Sequence, residues 1–230
     1  MKLTIIRKLF PERMPDFWVR HYDKDVAGKI FLGQFKKIAE EIPIDSGLIL
    51  DIGTGTGYLP IEINKKKPGL KVIGIDLSKR MIEVAKGKKK EINNVEFMVM
   101  DAKSLGFREN SISFIISTKS FLYWKRPLRV FNEIYQILKP GSQAWIYEAS
   151  TNLSDEDLNR NLSFEFVFSH LKFINKIFPS KIFLKKIIGL HSFSEIDYKS
   201  EIEPIINKSL FKKGMLEKKG MWHRISLKKE

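Results

Sequence analysis

The sequence predicts an α/β fold on a mostly parallel, doubly wound sheet, and three observations predict it. Short apolar runs rich in Ile, Val and Leu alternate with stretches of helical periodicity, at Leu48–Ile52, Leu70–Asp76, Val95–Met100, Ser113–Ser117 and Gln143–Tyr147. The first run passes directly into the turn Gly53-Thr54-Gly55-Thr56-Gly57 and then a helix. The second ends in Asp76, and the third is followed by Asp101. Alternating strands and helices build βαβ units, and such sheets bind ligands beyond the carboxyl ends of their strands.

At 230 residues, the chain suits one α/β domain with additions, divided here as an amino-terminal helical cap (1–40), a core (41–150) and a closing part of insert helices and last strands (151–230). With 43% hydrophobic and 30% charged residues the composition is that of a globular protein. Absence of cysteine excludes disulfides, thiolate metal sites and cysteine nucleophiles, and no metal site is expected. No stretch reaches the length of a membrane span, and charge interrupts Met1–Lys8 before a signal-peptide core forms, so the expected location is cytoplasmic. The net charge of +14 invites a nucleic-acid reading, but the excess is spread along the chain. Lys65-Lys66-Lys67 and Lys88-Lys89-Lys90 fall at helix ends, where a solvated lysine complements the dipole.

In the cap, Pro11 and Pro15 precede Phe17–Asp23, and a helical pattern then runs through Ile30, Phe31, Phe35 and Ile38 to stop before Pro43. Trp18, His21 and Tyr22 either shield a ligand or pack on the core.

The glycine turn carries the chemistry. Alternate glycines remove the Cβ atoms that would block a ligand or forbid positive φ, and the helix Tyr58–Lys66 turns its unpaired N–H groups and positive dipole end towards whatever binds. A dinucleotide fingerprint would need glycine at 58, where Tyr58 stands. Asp51, two residues before Gly53, suits a cationic ammonium group and would repel a pyrophosphate. An acidic residue followed by G-x-G-x-G resembles the first motif of the class I S-adenosylmethionine methyltransferases.

That resemblance implies S-adenosyl-L-methionine as cofactor and a Rossmann-like fold, a seven-stranded mostly parallel sheet with helices on both faces and an antiparallel last strand. It implies cofactor contacts from Asp51, Gly53, Thr54, Gly55, Gly57, Asp76, Leu77, Asp101, Ala102 and Ser117. Asp76, 19 residues after Gly57, also suits a ribose clamp on its own terms, because a strand-end carboxylate there can accept from both hydroxyls; an ordinary strand-end turn is the other reading. By resemblance, Leu77 flanks the adenine, Asp101 accepts its amino group and the backbone of Ala102 reaches the ring. Ser78 is placed to cap the helix Lys79–Lys88.

The stretch Thr118–Trp124 is expected to floor the substrate site. It lacks the Asn/Asp-Pro-Pro-Tyr run that grips an exocyclic amine or glutamine amide, which favours small-molecule acceptors. Pro127 opens the helix Leu128–Leu138, and Lys139-Pro140-Gly141 ends it before the fifth strand. Ile134–Gly141 resembles the Leu-Lys-Pro-Gly signature of quinone-biosynthesis-type methyltransferases, so the likeness covers about residues 45 to 150.

Farther on, Ser154 with Asp157 caps a phenylalanine-rich helical region that Pro179 interrupts, expected either as substrate-binding insert or as static packing. A helix Lys181–Ile188 and strands Phe193–Lys199 and Met221–Leu227 would complete the sheet. The expectation is an S-adenosyl-L-methionine-dependent methyltransferase acting on a small-molecule acceptor, with His21 and Tyr22 as candidate bases and positioning supplying most of the catalysis. RNA is the second acceptor class on account of the charge, and a nicotinamide oxidoreductase and a binding-only protein are the remaining readings.

Overall fold

The computed structural model describes residues 11–13, 15–89, 91–149, 198–220 and 222–230. Helix α1 (Asp16–His21) continues through a π-helical segment, Tyr22–Phe31, into α2 (Leu32–Glu41). Phe35, Ile38, Ala39 and Ile42 recur on one side of α2 and are buried. The helix ends as foreseen, because Ile42 precedes Pro43 and takes an extended conformation, ψ 126°.

Seven strands form one sheet in the order β3-β2-β1-β4-β5-β7-β6. They are β1 (Gly47–Ile52), β2 (Leu70–Asp76), β3 (Val95–Val99), β4 (Ile112–Thr118), β5 (Leu138–Ala149), β6 (Met215–Lys219) and β7 (Trp222–Lys228). Strand β1 lies at the centre and pairs in parallel with both β2 and β4, so Asp51 stands opposite Gly74 on one side and Ile116 on the other. The chain leaves β1 towards β2 and β3, then returns to build β4 and β5 on the opposite flank. This reversal opens a crevice at the carboxyl end of β1. Strand β7 is antiparallel to β5, the arrangement the resemblance implied, and β6 is antiparallel to β7.

Helices cover both faces. Between β1 and β3 lie α3 (Tyr58–Lys66) and α4 (Lys79–Lys89); α5 (Pro127–Ile137) joins β4 to β5, and α6 (Glu203–Lys208) precedes β6. One core packs Leu50, Ile52 and Ile115 against Phe121, Phe131 and Ile134; the other packs Ile49, Phe114 and Trp145 with Phe35, Ile38 and Ile63. Ser78 caps α4, its Oγ accepting from the Met81 N–H at 3.3 Å. Pro127 occupies the first turn of α5, where its missing N–H leaves no bond unmade.

Three expectations change. Strand β5 begins at Leu138, directly after α5, so Lys139-Pro140-Gly141 lies inside the strand's first turn of chain, with Gly141 at φ +78°. Of the expected strand Phe193–Lys199, Tyr198 and Lys199 belong instead to a π-helical turn, Tyr198–Ile202, and residues 193–197 lie outside the described residues. The sixth strand is Met215–Lys219, whose Glu217, Lys218 and Lys219 break the apolar alternation as edge strands commonly do. Finally, Lys88 is not a solvated helix end: its ammonium pairs with Asp23 of the π-helical segment, donates to the Thr56 carbonyl at 3.0 Å and sits over the Tyr58 ring at 3.9 Å. Lys65, Lys66 and Lys67 pair with Glu62, Glu40 and Asp45. The phenylalanine-rich region after Ser154 and the helix Lys181–Ile188 lie outside the described residues.

Candidate active site

The crevice holds a cavity of about 450 Å³. Gly53, Gly55, Asp76, Leu77, Met81, Met100, Asp101 and Ala102 form one half; Tyr22, Thr118, Lys119, Ser120, Tyr123 and Trp124 form the other, with Pro11, Glu12 and Arg13 along the rim. The stretch after β4 therefore floors the cavity, as its position at a strand's carboxyl end foretold.

The turn after β1 is built from left-handed backbone, with Gly53, Gly55 and Gly57 at φ +75°, +56° and +81°. No other residue type adopts three such angles cheaply. The N–H groups of Gly53 and Thr54 both donate to the Ile75 carbonyl, at 2.8 and 2.9 Å, which ties the turn to the end of β2. Gly57 does not reach the cavity; a Cβ there would stand 2.6 Å from the Phe97 ring and 2.8 Å from Ala85, so this glycine serves the packing of α3 against β3 and α4. At Gly55 a Cβ would meet nothing closer than the Tyr22 ring at 3.9 Å, so the space beside it is the cavity itself.

Asp51 is wholly buried beneath the turn and does not line the cavity, and neither of its carboxylate oxygens has a hydrogen-bond partner among the described residues. Burial pushes its pKa up to about 7; the Thr54 hydroxyl opposes the shift from outside hydrogen-bond geometry, and the neighbouring Asp76 charge adds to it. The hydroxyls of Thr54 and Thr56 are likewise unpartnered. Three buried polar side chains without partners in one turn are unusual in a finished interior, where buried polar groups are nearly all satisfied. None of the three lines the cavity, so their charge and dipoles act on it through the turn.

Asp76 ends β2 at the cavity wall. Its Oδ2 accepts the Gly55 N–H at 3.0 Å and its Oδ1 the Ser78 N–H at 2.8 Å. Burial raises its pKa, and the Ser78, Gly55 and Leu77 backbone bonds pull it back. A carboxylate offers about four acceptor sites, more than these backbone bonds take, so acceptor capacity remains for a ligand. Asp101 accepts from the Lys103 N–H at 2.9 Å, and Lys103 in turn bonds Glu12 at 2.9 and 3.0 Å, which brings the amino-terminal segment to the rim beside Leu77 and Ala102. Ser117 is buried behind the cavity: its hydroxyl meets that of Ser120 at 2.6 Å, and Ser120 donates to the Ile52 carbonyl at 3.1 Å, pinning the floor to β1.

Of the two candidate bases, Tyr22 faces the cavity, and burial with the charges of Asp76, Glu148 and Asp23 pushes its phenol far above the ordinary range, so it stays protonated. His21 is the last residue of α1, and its side chain is not among those described. Sequence reasoning included Lys119 in the expected floor, Thr118–Trp124, but did not single it out. It follows β4 at φ +58°, its ammonium lies 3.8 Å from the Phe31 ring centroid and 5.8 Å from that of Tyr22, and burial lowers its pKa to about 8 against the opposing charge of Glu148. Its place at the carboxyl end of a central strand was the signal that could have found it.

Residues 50–146 match the family model described as a methyltransferase domain. A demethylmenaquinone methyltransferase of Lactococcus lactis is 35% identical over 105 residues, covering 44% of this chain and 42% of that protein. The chain spans half or less of the length of the curated relatives it matches. Among solved structures, a S-adenosylmethionine-dependent methyltransferase of Aquifex aeolicus superposes with a TM-score of 0.64 at 19% identity, covering 94% of this chain and 97% of that one. A phosphoethanolamine N-methyltransferase of Haemonchus contortus, in complex with S-adenosyl-L-methionine, superposes at 0.57 with 22% identity, covering 97% of this chain and 60% of that one. With its β3-β2-β1-β4-β5-β7-β6 sheet, its glycine turn and this match over residues 50–146, the chain carries a methyltransferase domain in the fold of the class I S-adenosyl-L-methionine-dependent methyltransferases.

Proposed function

We propose that the protein transfers a methyl group from S-adenosyl-L-methionine to a small-molecule acceptor held in the Lys119 half of the cavity. The observation that carries the proposal is the turn itself: an unpartnered buried carboxylate, Asp51, lies under a glycine cradle, beside a second carboxylate, Asp76, with acceptor sites to spare. Asp51, beneath the turn with Thr54, would act on the ammonium end of the cofactor through its charge and not by contact. The backbone of Gly53 and Gly55 would lie along it, and Asp76 would accept from the ribose hydroxyls. Leu77, Asp101 and Ala102 would enclose the adenine. Gly57 and Ser117 act one layer back, through helix packing and through Ser120.

When bound, the cofactor supplies a methyl group activated by its positively charged sulfur. What this chain supplies is position and dryness, which can account for much of such a rate enhancement. Tyr22, Tyr123 and Trp124 wall the acceptor half with rings, and the Glu12–Lys103 contact draws the amino-terminal segment over the adenine side. A small acceptor is supported by the cavity, which is a pocket of small-ligand size rather than an open basic groove.

Incubation of a cell extract with the protein and methyl-labelled cofactor, followed by mass spectrometry of the low-mass fraction, tests the reading. A labelled small molecule that depends on Asp76 is expected. Label found in RNA or protein instead would overturn the small-molecule assignment.

A further inference from the structure

Lys119 stands where the chain bears several costs for one side chain. Its backbone is left-handed, at φ +58°, a conformation uncommon for residues other than glycine and shared among the described residues by Asn110 and Lys212. Its ammonium has lost much of its water to the rings of Phe31 and Tyr22. Among the described residues it donates no side-chain hydrogen bond and forms no ion pair, and only its backbone N–H is engaged, with the Tyr147 carbonyl at 2.8 Å. Partly buried, it faces the cavity with its charge unpaired, and a desolvated ammonium is stabilised by a partner.

The groups that face it explain what would pair with it. From the π-helical segment come Phe31, a ring, and Tyr22, a phenol kept protonated by its surroundings. From the floor comes Tyr123, whose phenol is also pushed up by burial and by the nearby Glu148 and Tyr22. From β5 comes Glu148, buried, which acts on Lys119 through its field and takes the Leu122 N–H at 3.4 Å. Across the cavity, Asp76 is held by Gly55 and Ser78. The lysine is therefore a cation on an aromatic wall beside two neutral O–H donors. That is the recognition chemistry of an oxyanion on an apolar frame.

Resting on the reading that this half of the cavity holds the acceptor, we propose that Lys119 is its anion-recognising residue and that the methyl acceptor carries an ionised oxygen on an unsaturated or aromatic frame lying against Tyr22, Tyr123 and Trp124. The oxygen belongs to a phenol, an enol or a carboxylic acid; the proton it lacks is left in solvent before binding, and Lys119 itself takes part in no bond change.

The test titrates the whole protein, loaded with S-adenosylhomocysteine, with paired probes of one shape and two charges. The carboxylate arm compares 2-naphthoate with 2-naphthamide, and the phenolate arm compares 4-nitrophenol with nitrobenzene at about pH 8. Binding of the anion of at least one pair about tenfold or more tighter than its neutral partner is expected. Lys119→Met should abolish that preference and Lys119→Arg retain it, with S-adenosylhomocysteine affinity within about threefold of the parent in both. In the phenolate arm the bound nitrophenol should also show the absorption band of its ionised form at a lower pH than free in solution. The arm that responds names the oxygen acid. Equal binding of charged and neutral probes, an undiminished preference in Lys119→Met, or no binding of any probe would each overturn the proposal; should Lys119→Met fail to fold, Lys119→Gln takes its place and the parent's own preference still decides. Failure of the parent to bind S-adenosylhomocysteine would instead overturn the methyltransferase reading on which this rests.

Discussion

Gly55 donates its backbone N–H to Asp76 Oδ2 at 3.0 Å, across 21 residues of sequence. The glycine turn and the acidic end of β2 are thus one construction, in which the carboxylate that faces the cavity also fixes the backbone that lines it. Changes at either residue should be felt at both.

Gly55→Val is expected to abolish cofactor binding while leaving much of the fold intact. The new side chain would have room, with Tyr22 3.9 Å from its Cβ, but it would fill the cavity and strain a left-handed residue, at a cost of about 1–3 kcal/mol. Calorimetric titration with S-adenosylhomocysteine, together with a melting curve, checks it. A variant that melts a few degrees lower and binds nothing is the expected result, whereas normal affinity would remove Gly55 from the site.

Asp51 predicts a pH dependence. Its folded pKa, about 7, lies above the ordinary carboxylate value of 3.8, so the unliganded fold retains a proton that the unfolded chain releases. The stabilisation is fully present below about pH 4 and is lost as the pH rises through 7, to a limit of about 4 kcal/mol. Asp51→Asn should flatten this slope and melt higher than the parent at pH 8 without ligand. In the parent, a cationic ligand group placed beside the carboxylate would draw off its proton, so binding near pH 6 should release protons in calorimetry run in two buffers of different ionisation enthalpy. The same stability slope in Asp51→Asn, or no proton release, would assign the carboxylate a different role.

The Asp23–Lys88 pair joins the π-helical segment to α4 and, through the Thr56 carbonyl, to the glycine turn. Burial lowers the lysine's pKa and Asp23 restores part of it, the signature of a partly desolvated pair. Lys88→Met and Asp23→Asn should each speed hydrogen exchange in residues 16–31 and weaken cofactor binding several-fold, with a coupling of about 1 kcal/mol in a double-mutant cycle. Additive effects would mean that cap and turn are not linked through this contact.

Much of the core could be read directly from the residues. The runs at Leu48–Ile52 and Leu70–Asp76 are buried strands because their apolar, branched residues face helices on both sides, and the turn between β1 and α3 announced itself through three glycines that all proved left-handed. The signals failed where tertiary context outweighed local pattern. Met215–Lys219 pairs on one side only, so its charges conceal a strand, and Tyr198–Lys199, with aromatic and polar character suited to an edge, is wound instead into the turn before α6. Lys88 looked like an ordinary helix-end lysine until a carboxylate 65 positions away was folded against it. The place of Lys119 in the floor was legible from its strand end, but nothing in Thr118-Lys119-Ser120 records which rings will surround its ammonium.

The central claim is that the carboxyl ends of β1 and β2 hold S-adenosyl-L-methionine, and titration of the parent and of Asp76→Ala with S-adenosylhomocysteine tests it most directly. The parent should bind one molecule per chain. The variant, folded by its melting curve, should bind about 1.5–3 kcal/mol more weakly, the range for hydrogen bonds to a charged group. No binding by the parent, or equal binding by Asp76→Ala, would contradict the account.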